Sequence, residues 1–153
     1  MVDWLVEVTT SFSCEPKTYF LAIKYLDKTL LLQMLRGQVI KNEDILQLGV
    51  QSLYLASKFE DVQYIDAKLL EDKVAQHKLT FDQIIKGEKD LLSLFDYDCN
   101  EVTHYDFLES YFAQLVMRAS KTVRQVDEHK QQQLDEVHRL VHKISLYLTK
   151  MAM

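Results

Sequence analysis

The sequence predicts an all-α fold built around a buried central helix, and three observations lead to this prediction. The chain of 153 residues contains only three glycines and one proline, too few for a fold of strands and turns. Apolar residues make up 48% of the chain and recur at helical spacings along it. The stretch 45–57, ILQLGVQSLYLAS, carries no charge and is apolar on most of its circumference, so other helices must surround it.

Two helices are predicted before the central one. Residues 2–13 form the first, with an apolar face that consists of Trp4, Leu5, Val8 and Phe12. Pro16 suits the first turn of the second helix, because the N–H that proline lacks is not needed there. Gly37 is a stop signal for this second helix, which we therefore expect to end near residues 35–36.

The central helix is predicted over about residues 44–59. Asn42 can cap it, and Asp44 places negative charge at its positive end. A stripe of small residues, along which neighbouring helices could approach closely, consists of Gly49, Ser52 and Ala56. The stretch is too short to span a bilayer, which needs about 20 apolar residues.

Two helices follow within the same bundle. Asp66 is expected to cap a short one, and Thr80 with Gln83 has the spacing of a capping box at the start of the next. Gly87 lies in the middle of that fifth helix, where it costs about 1 kcal/mol relative to alanine. A packing reason for this glycine is therefore expected.

Two more helices are predicted after the five-helix bundle. Thr103 precedes a sixth helix whose apolar residues continue to Leu115. Residues 134–151 form a last helix, with apolar residues spaced alternately three and four apart. The predicted architecture is thus a five-helix bundle with one or two further helices.

Charge and cysteine content exclude several classes of function. A net charge of −5 argues against nucleic acid as a main partner, because phosphate binding requires a basic surface. Cys14 and Cys99 provide neither a disulfide framework nor a metal spacing, which favours a reducing compartment. Residues 1–20 lack the basic start and apolar core of a signal peptide. We therefore expect an intracellular protein, in the nucleus or cytoplasm, without a membrane partner.

The sequence contains no arrangement typical of an enzyme. Phosphate loops, nucleophile motifs and paired acid–base signatures are all missing. His138 and His142 lie four residues apart, a spacing that can hold zinc, but no third ligand accompanies them. We therefore predict no catalytic residue, no metal and no cofactor.

Several motifs resemble the cyclin box, the helical domain of the cyclin family, in order and spacing over residues 2–112. They are VDWLVEV at 2–8, YLDK at 25–28, LQLG at 46–49, LASKFED at 55–61, and EKDLL at 88–92 followed by FDYD at 95–98. The VDWLVEV form is more similar to S-phase and mitotic A- and B-type cyclins than to G1 cyclins. The resemblance implies a cyclin box at 1–100, and a linker with the beginning of a second, incomplete box at 101–153.

The resemblance also implies a regulatory subunit rather than an enzyme. A cyclin docks beside the regulatory helix of a cyclin-dependent Ser/Thr protein kinase, completes the kinase's own Lys–Glu pair and reshapes its activation loop. The positions that match the family's kinase contacts are Lys58 and Glu88, apolar Phe59 and Leu92, and Glu60 and Asp61 at the rim. Lysine offers three donors to backbone carbonyls, and glutamate offers acceptors to backbone N–H groups.

A second family site is a patch on the first helix that binds Arg-x-Leu motifs of substrates and inhibitors. The matching residues are Trp4, Glu7, Leu46 and Gln47. The apolar members would hold the leucine and Glu7 would meet the arginine. The family's MRAIL segment would precede Met1, so we expect this patch to be incomplete.

The sequence departs from the family pattern at two places, and it is compatible with two alternative functions. Residues 63–65 replace the family's prolines after the central helix, and Gly87 stands where a larger side chain is usual. The first alternative is a cyclin-fold scaffold in transcription, whose signature would be a basic surface. The second is a truncated kinase-binding box that does not activate its kinase.

Overall fold

The structure, a computed structural model, describes residues 1–76, 78–122 and 128–151 and is all-α in this part of the chain, as predicted. Its helices are α1 (Val2–Ser11), α2 (Pro16–Leu35), α3 (Asn42–Glu60), α4 (Ala67–Leu69, continued by a π-helical turn at Leu70–Val74), α5 (Phe81–Leu94), α6 (His104–Thr122) and α7 (Glu128–Met151). These helices belong to two compact units, Met1–Thr103 and His104–Met153.

Helix α3 is the centre of the first unit, which confirms the prediction from its uncharged stretch. Residues 48–57 are all buried, and Val50 and Leu53 are completely so. The contacts of α3 are most extensive with α2 and next with α5. Lys58 is the first exposed residue after this buried stretch, so it is accessible to a partner at the C-terminal end of α3.

The predicted stripe of small residues does allow close approach. A Cβ atom on Gly49 would lie 2.9 Å from the Sδ of Met1 and 3.6 Å from the Cζ3 of Trp4, so the start of α1 packs directly on the backbone of α3. Ser52 and Ala56, further along the stripe, are fully buried. The first helix is therefore seated on the N-terminal half of the central one.

The helix caps are partly as predicted. Asp66 caps α4 by accepting the N–H of Lys68 at 2.8 Å. Thr80 and Gln83 form the expected capping box of α5, with the N–H of Thr80 donated to the Gln83 side chain at 2.8 Å and the N–H of Gln83 donated to the Thr80 hydroxyl at 3.3 Å.

Two boundaries were predicted wrongly. Asn42 does not cap α3 but is its first residue; Lys41 is the cap, and its N–H is donated to the carboxylate of Asp44 at 2.9 Å. The acidic residue at the third helical position binds this N–H and so fixes Lys41, rather than Asn42, as the residue before the first helical turn. Helix α1 ends at Ser11, and the chain turns at Ser13 with a φ of 54°.

The second unit consists of α6 and α7, which matches the two further helices predicted. Helix α7 begins at Glu128, six residues before the predicted start at 134. His142 lies 2.6 Å from the carboxylate of Glu109 and edge-on to the ring of Phe112, with 4.8 Å between ring centroids. Within the described ranges, no helix has both the length and the apolar character required to cross a bilayer.

Candidate functional site

Lys58 and Glu88 form an ion pair between the end of α3 and the second half of α5. The Nζ of Lys58 lies 2.5 Å from the Oε1 of Glu88. The Lys58 side chain is 35% exposed and that of Glu88 is 12% exposed, so the pair lies at the boundary between core and solvent. The structure thus brings together the two charged residues that the sequence singles out.

The surroundings of Lys58 keep it charged. The hydrogen bond to Glu88 is the main cause that raises the pKa of Lys58, and partial burial opposes this only in part. The ammonium also lies over the rings of Tyr54 and Tyr64, at 5.2 and 5.8 Å from their centroids. Such cation–π contacts favour the charged form. Because a lysine has three donors, Lys58 can hold Glu88 and still donate to a partner.

Apolar side chains neighbour the ion pair on α3, on α5 and in the segment that follows α3. Phe59, next to Lys58, is 51% exposed, and Tyr64 is 56% exposed. Leu92 is half-buried and lies one turn after Glu88, on the same side of α5. We refer to Lys58, Phe59, Tyr64, Glu88 and Leu92 as the α3–α5 edge. Sequence reasoning missed Tyr64, although an aromatic residue just past the end of the central helix was a usable signal.

Glu60 and Asp61 are placed differently from the α3–α5 edge. The carboxylate of Glu60 lies 3.5 Å from the Nζ of Lys17 on α2. Asp61 is turned toward the start of α2, where its Oδ1 accepts the N–H of Glu15 at 2.8 Å and the hydroxyl of Thr18 at 2.7 Å. Glu15 is the N-cap residue of α2 and makes no capping bond with its own side chain; the carboxylate of Asp61, which follows α3, binds the start of the helix instead. A partner contact by either residue stays a prediction.

Cys14 lies beside this cap and is not a nucleophile at neutral pH. Burial is the main cause, and the charge of Asp61 the next, that raises the pKa of the Cys14 thiol to about 12. Because the thiolate is the reactive form, the thiol is inert under ordinary conditions. Among the described residues, no group of three or more His, Cys, Asp or Glu side chains could hold a metal ion.

Two residues of the predicted Arg-x-Leu patch, Trp4 and Gln47, lie on different sides of α3. Trp4 lies over Gly49 of α3, and Glu7 is exposed one turn further along α1. Gln47 precedes Gly49 by two residues, which turns it about 200° around the helix and away from Trp4. It lines a cleft of about 540 Å³ that also includes its neighbour Leu46, Leu79 and, from α5, Gln83.

Leu46 and Ile45 lie closer to the Trp4 side of α3. They precede Gly49 by three and four residues, the spacings that share one side of a helix, and both are half-buried. Sequence reasoning missed Ile45, although its spacing from Gly49 could have identified it. Binding of a peptide at this surface stays a prediction.

Comparison with known proteins agrees with the resemblance. The family model described as "Cyclin, N-terminal domain" matches residues 1–100. The chain is 32% identical over 108 residues to the G2/mitotic-specific cyclin C13-1 of Daucus carota, covering 71% of this chain and 30% of that protein. It is 32% identical over 114 residues to Cyclin-A3-3 of Arabidopsis thaliana, and the match covers 72% of this chain and 32% of that protein. It is 30% identical over 113 residues to the G2/mitotic-specific cyclin-B3 of Drosophila melanogaster, and the match covers 72% of this chain and 18% of that protein. The chain thus spans a third or less of the length of these relatives.

Proposed function

The chain belongs to the cyclin family, and from this premise we propose that it is a regulatory subunit that binds and activates a cyclin-dependent protein kinase through the α3–α5 edge. The cyclin family is regulatory rather than catalytic, so the transfer of phosphate would belong to the partner. Two of the relatives are named as G2/mitotic-specific cyclins, which supports a role in the control of cell division.

The Lys58–Glu88 ion pair is the observation that carries this proposal. A kinase helix and the loop before it present backbone carbonyls and N–H groups at the helix ends. The free donors of Lys58 suit the carbonyls, and the carboxylate of Glu88 suits the N–H groups. Because the two charges are already paired at 2.5 Å, each offsets part of the desolvation of the other when a partner covers them.

The exposed apolar members of the edge would supply most of the affinity. Phe59 and Tyr64 are more than half exposed, and covering them removes apolar surface from water at about 25 cal/mol per Å². Aromatic anchors beside a desolvated charge pair are typical of interface hot spots. Glu60 and Asp61 would contribute only at the rim of the interface, because their carboxylates are already engaged with residues of α2.

We propose a second contact for Arg-x-Leu segments of substrates or inhibitors at Trp4, Glu7 and Leu46. Glu7 offers an exposed carboxylate for the arginine, and Trp4 with Leu46 and Ile45 offers apolar surface for the leucine. Gln47 faces another side of α3 and is not expected to take part. The assignment of residues 101–153 as a linker and the start of a second cyclin box also stays a proposal.

The test combines binding and activation. The tagged chain is used to isolate kinases from its native extract, and it is then added in purified form to the recovered kinase as a free monomer. We expect a cyclin-dependent kinase to co-purify and its phosphorylation of a peptide substrate to rise on addition of the chain. Binding without a rise in phosphorylation would favour the non-activating alternative, and no kinase binding would contradict the proposed function.

A further inference from the structure

Gly87 of α5 lies directly against Gln51 of α3. A Cβ atom added to Gly87 would overlap the Cγ, Cδ and Nε2 atoms of Gln51. Real Cβ atoms do not approach other atoms so closely, so any side chain at position 87 would force either Gln51 or one of the two helices to move. The glycine is therefore required by packing, which accounts for its place inside a helix.

Gln51 cannot easily give way. Its side chain is buried, with the residue only 4% exposed, and its Nε2 donates to the backbone oxygen of Gln83 at 3.1 Å. Gln83 lies one turn before Gly87, so the amide of Gln51 extends across the glycine and ends on α5. Moving this amide would break its hydrogen bond to Gln83, and a buried donor left without a partner is costly.

The Gln51–Gly87 contact and the Lys58–Glu88 ion pair belong to the same line of contact between α3 and α5. Lys58 follows Gln51 by seven residues, which is two turns along the same side of α3 and about 10 Å along its axis. Glu88 directly follows Gly87. The spacing of the helices at the first contact therefore determines whether the carboxylate of Glu88 reaches the ammonium of Lys58.

We propose that Gly87 and Gln51 are positioning residues for kinase docking. Where α3 and α5 meet, Gln51 supplies the side chain and Gly87 offers only backbone. This arrangement sets the helix spacing at which Glu88 meets Lys58. This inference rests on the proposed function for its effect on the kinase. Its geometric part, the dependence of the Lys58–Glu88 pair on position 87, can be measured without any kinase.

The experiment uses Gly87→Ala, Gln51→Ala and the double variant Gln51→Ala/Gly87→Ala in the full chain. Gln51→Ala removes the very atoms that the new Cβ would overlap, so the double variant can hold a methyl group on α5 without that overlap. Two quantities are measured in each background. One is the affinity for the purified cyclin-dependent kinase that binds the unaltered chain most tightly in a panel. The other is the coupling of Lys58 to Glu88, from the urea midpoints of Lys58→Ala, Glu88→Ala and their combination.

We expect Gly87→Ala to weaken kinase binding about tenfold or more, as for other disturbed charge pairs at interfaces, and to abolish the Lys58–Glu88 coupling. The double variant should regain most of both, and if Gly87→Ala alone does not fold, the double variant should fold. Unchanged affinity and coupling in Gly87→Ala would overturn the inference, as would a double variant no better than Gly87→Ala. If no kinase binds the unaltered chain, the proposed function fails, while the coupling measurement still decides the geometric part.

Discussion

The carboxylate of Asp61, one residue past the end of α3, accepts a hydrogen bond of 2.7 Å from the hydroxyl of Thr18 in the first turn of α2. The same oxygen accepts the N–H of Glu15 at 2.8 Å. The C-terminal end of α3 is thereby hydrogen-bonded to the N-terminal end of α2, its main packing partner. Lys58 lies only three residues earlier, so this bond holds the same end of α3 that carries the ion pair we assign to docking.

Replacement of Asp61 by alanine should destabilise the chain. Loss of a capping carboxylate costs about 0.5–2 kcal/mol, and we expect Asp61→Ala to lower the free energy of unfolding in urea by this amount. The matched control is Glu60→Ala, which removes a partly exposed pair with Lys17 at 3.5 Å and should cost at most about 1 kcal/mol. A loss of less than about 0.5 kcal/mol in Asp61→Ala would contradict the capping role.

The thiol of Cys14 should resist alkylation up to high pH in the folded chain. Its pKa is raised to about 12 by burial and by Asp61, whereas an unfolded cysteine titrates at about 8.5. The alkylation rate of the folded chain, read at Cys14 by mass spectrometry, should therefore still be rising at pH 10, where that of the urea-unfolded chain has levelled off. A folded-state rate that levels off near pH 9 would disprove the raised pKa.

The same shift has a consequence for stability. Because the unfolded chain loses the Cys14 proton at lower pH than the folded chain does, this group's contribution to stability is complete below about pH 8.5 and declines as the pH rises above it. Cys14→Ser should lessen the decline of the urea midpoint between pH 8 and 10. An identical decline in both chains would assign it to other groups.

Tyr25→Phe should lower stability through one hydrogen bond. The Tyr25 hydroxyl is buried and donates to the backbone oxygen of Cys99 at 2.6 Å. Without it the carbonyl is left unsatisfied, and we expect a loss of about 1–3 kcal/mol in thermal or urea unfolding. Tyr97→Phe is the control, because Tyr97 is 74% exposed and its hydroxyl should contribute no more than about 0.5 kcal/mol.

The side of α3 that faces Trp4 can be tested with peptides. If Arg-x-Leu segments bind there, Trp4→Ala and Ile45→Ala should each weaken the binding of a fluorescent Arg-x-Leu peptide about tenfold, as expected for apolar anchors. Gln47→Ala should leave the affinity unchanged, since Gln47 is turned about 200° from Gly49. A loss of affinity in Gln47→Ala that equals the loss in Trp4→Ala would contradict this placement.

Features that depend on neighbouring residues were predictable from the sequence. The caps at Asp66 and Thr80 use partners two and three residues away, and the burial of α3 follows from its uncharged stretch. The Asn42 prediction failed even though it is local, because a second solution was available: the carboxylate of Asp44 satisfies the N–H of Lys41.

Features that depend on the crossing of distant helices were not predictable. Asp61 caps a helix that begins more than forty residues earlier, and no local pattern distinguishes such a carboxylate from one at a surface rim. The reason for Gly87 lies in Gln51, 36 residues before it on another helix. The pairing of Lys58 with Glu88 was inferred from a family resemblance, and helical periodicity alone could not have identified it.

The most direct test of the central claim is the kinase affinity of a chain in which the two charges are exchanged, Lys58→Glu/Glu88→Lys. The exchange keeps an ion pair between α3 and α5, so the fold should survive. The polarity offered to the partner is reversed, so we expect a loss of kinase affinity of about 30-fold or more. The matched control is Lys28→Glu/Glu101→Lys, which exchanges the charges of another pair at 2.5 Å and should leave the affinity within about threefold of the original. If the chain exchanged at 58 and 88 binds the kinase as tightly as the unaltered chain, this ion pair is not the docking site.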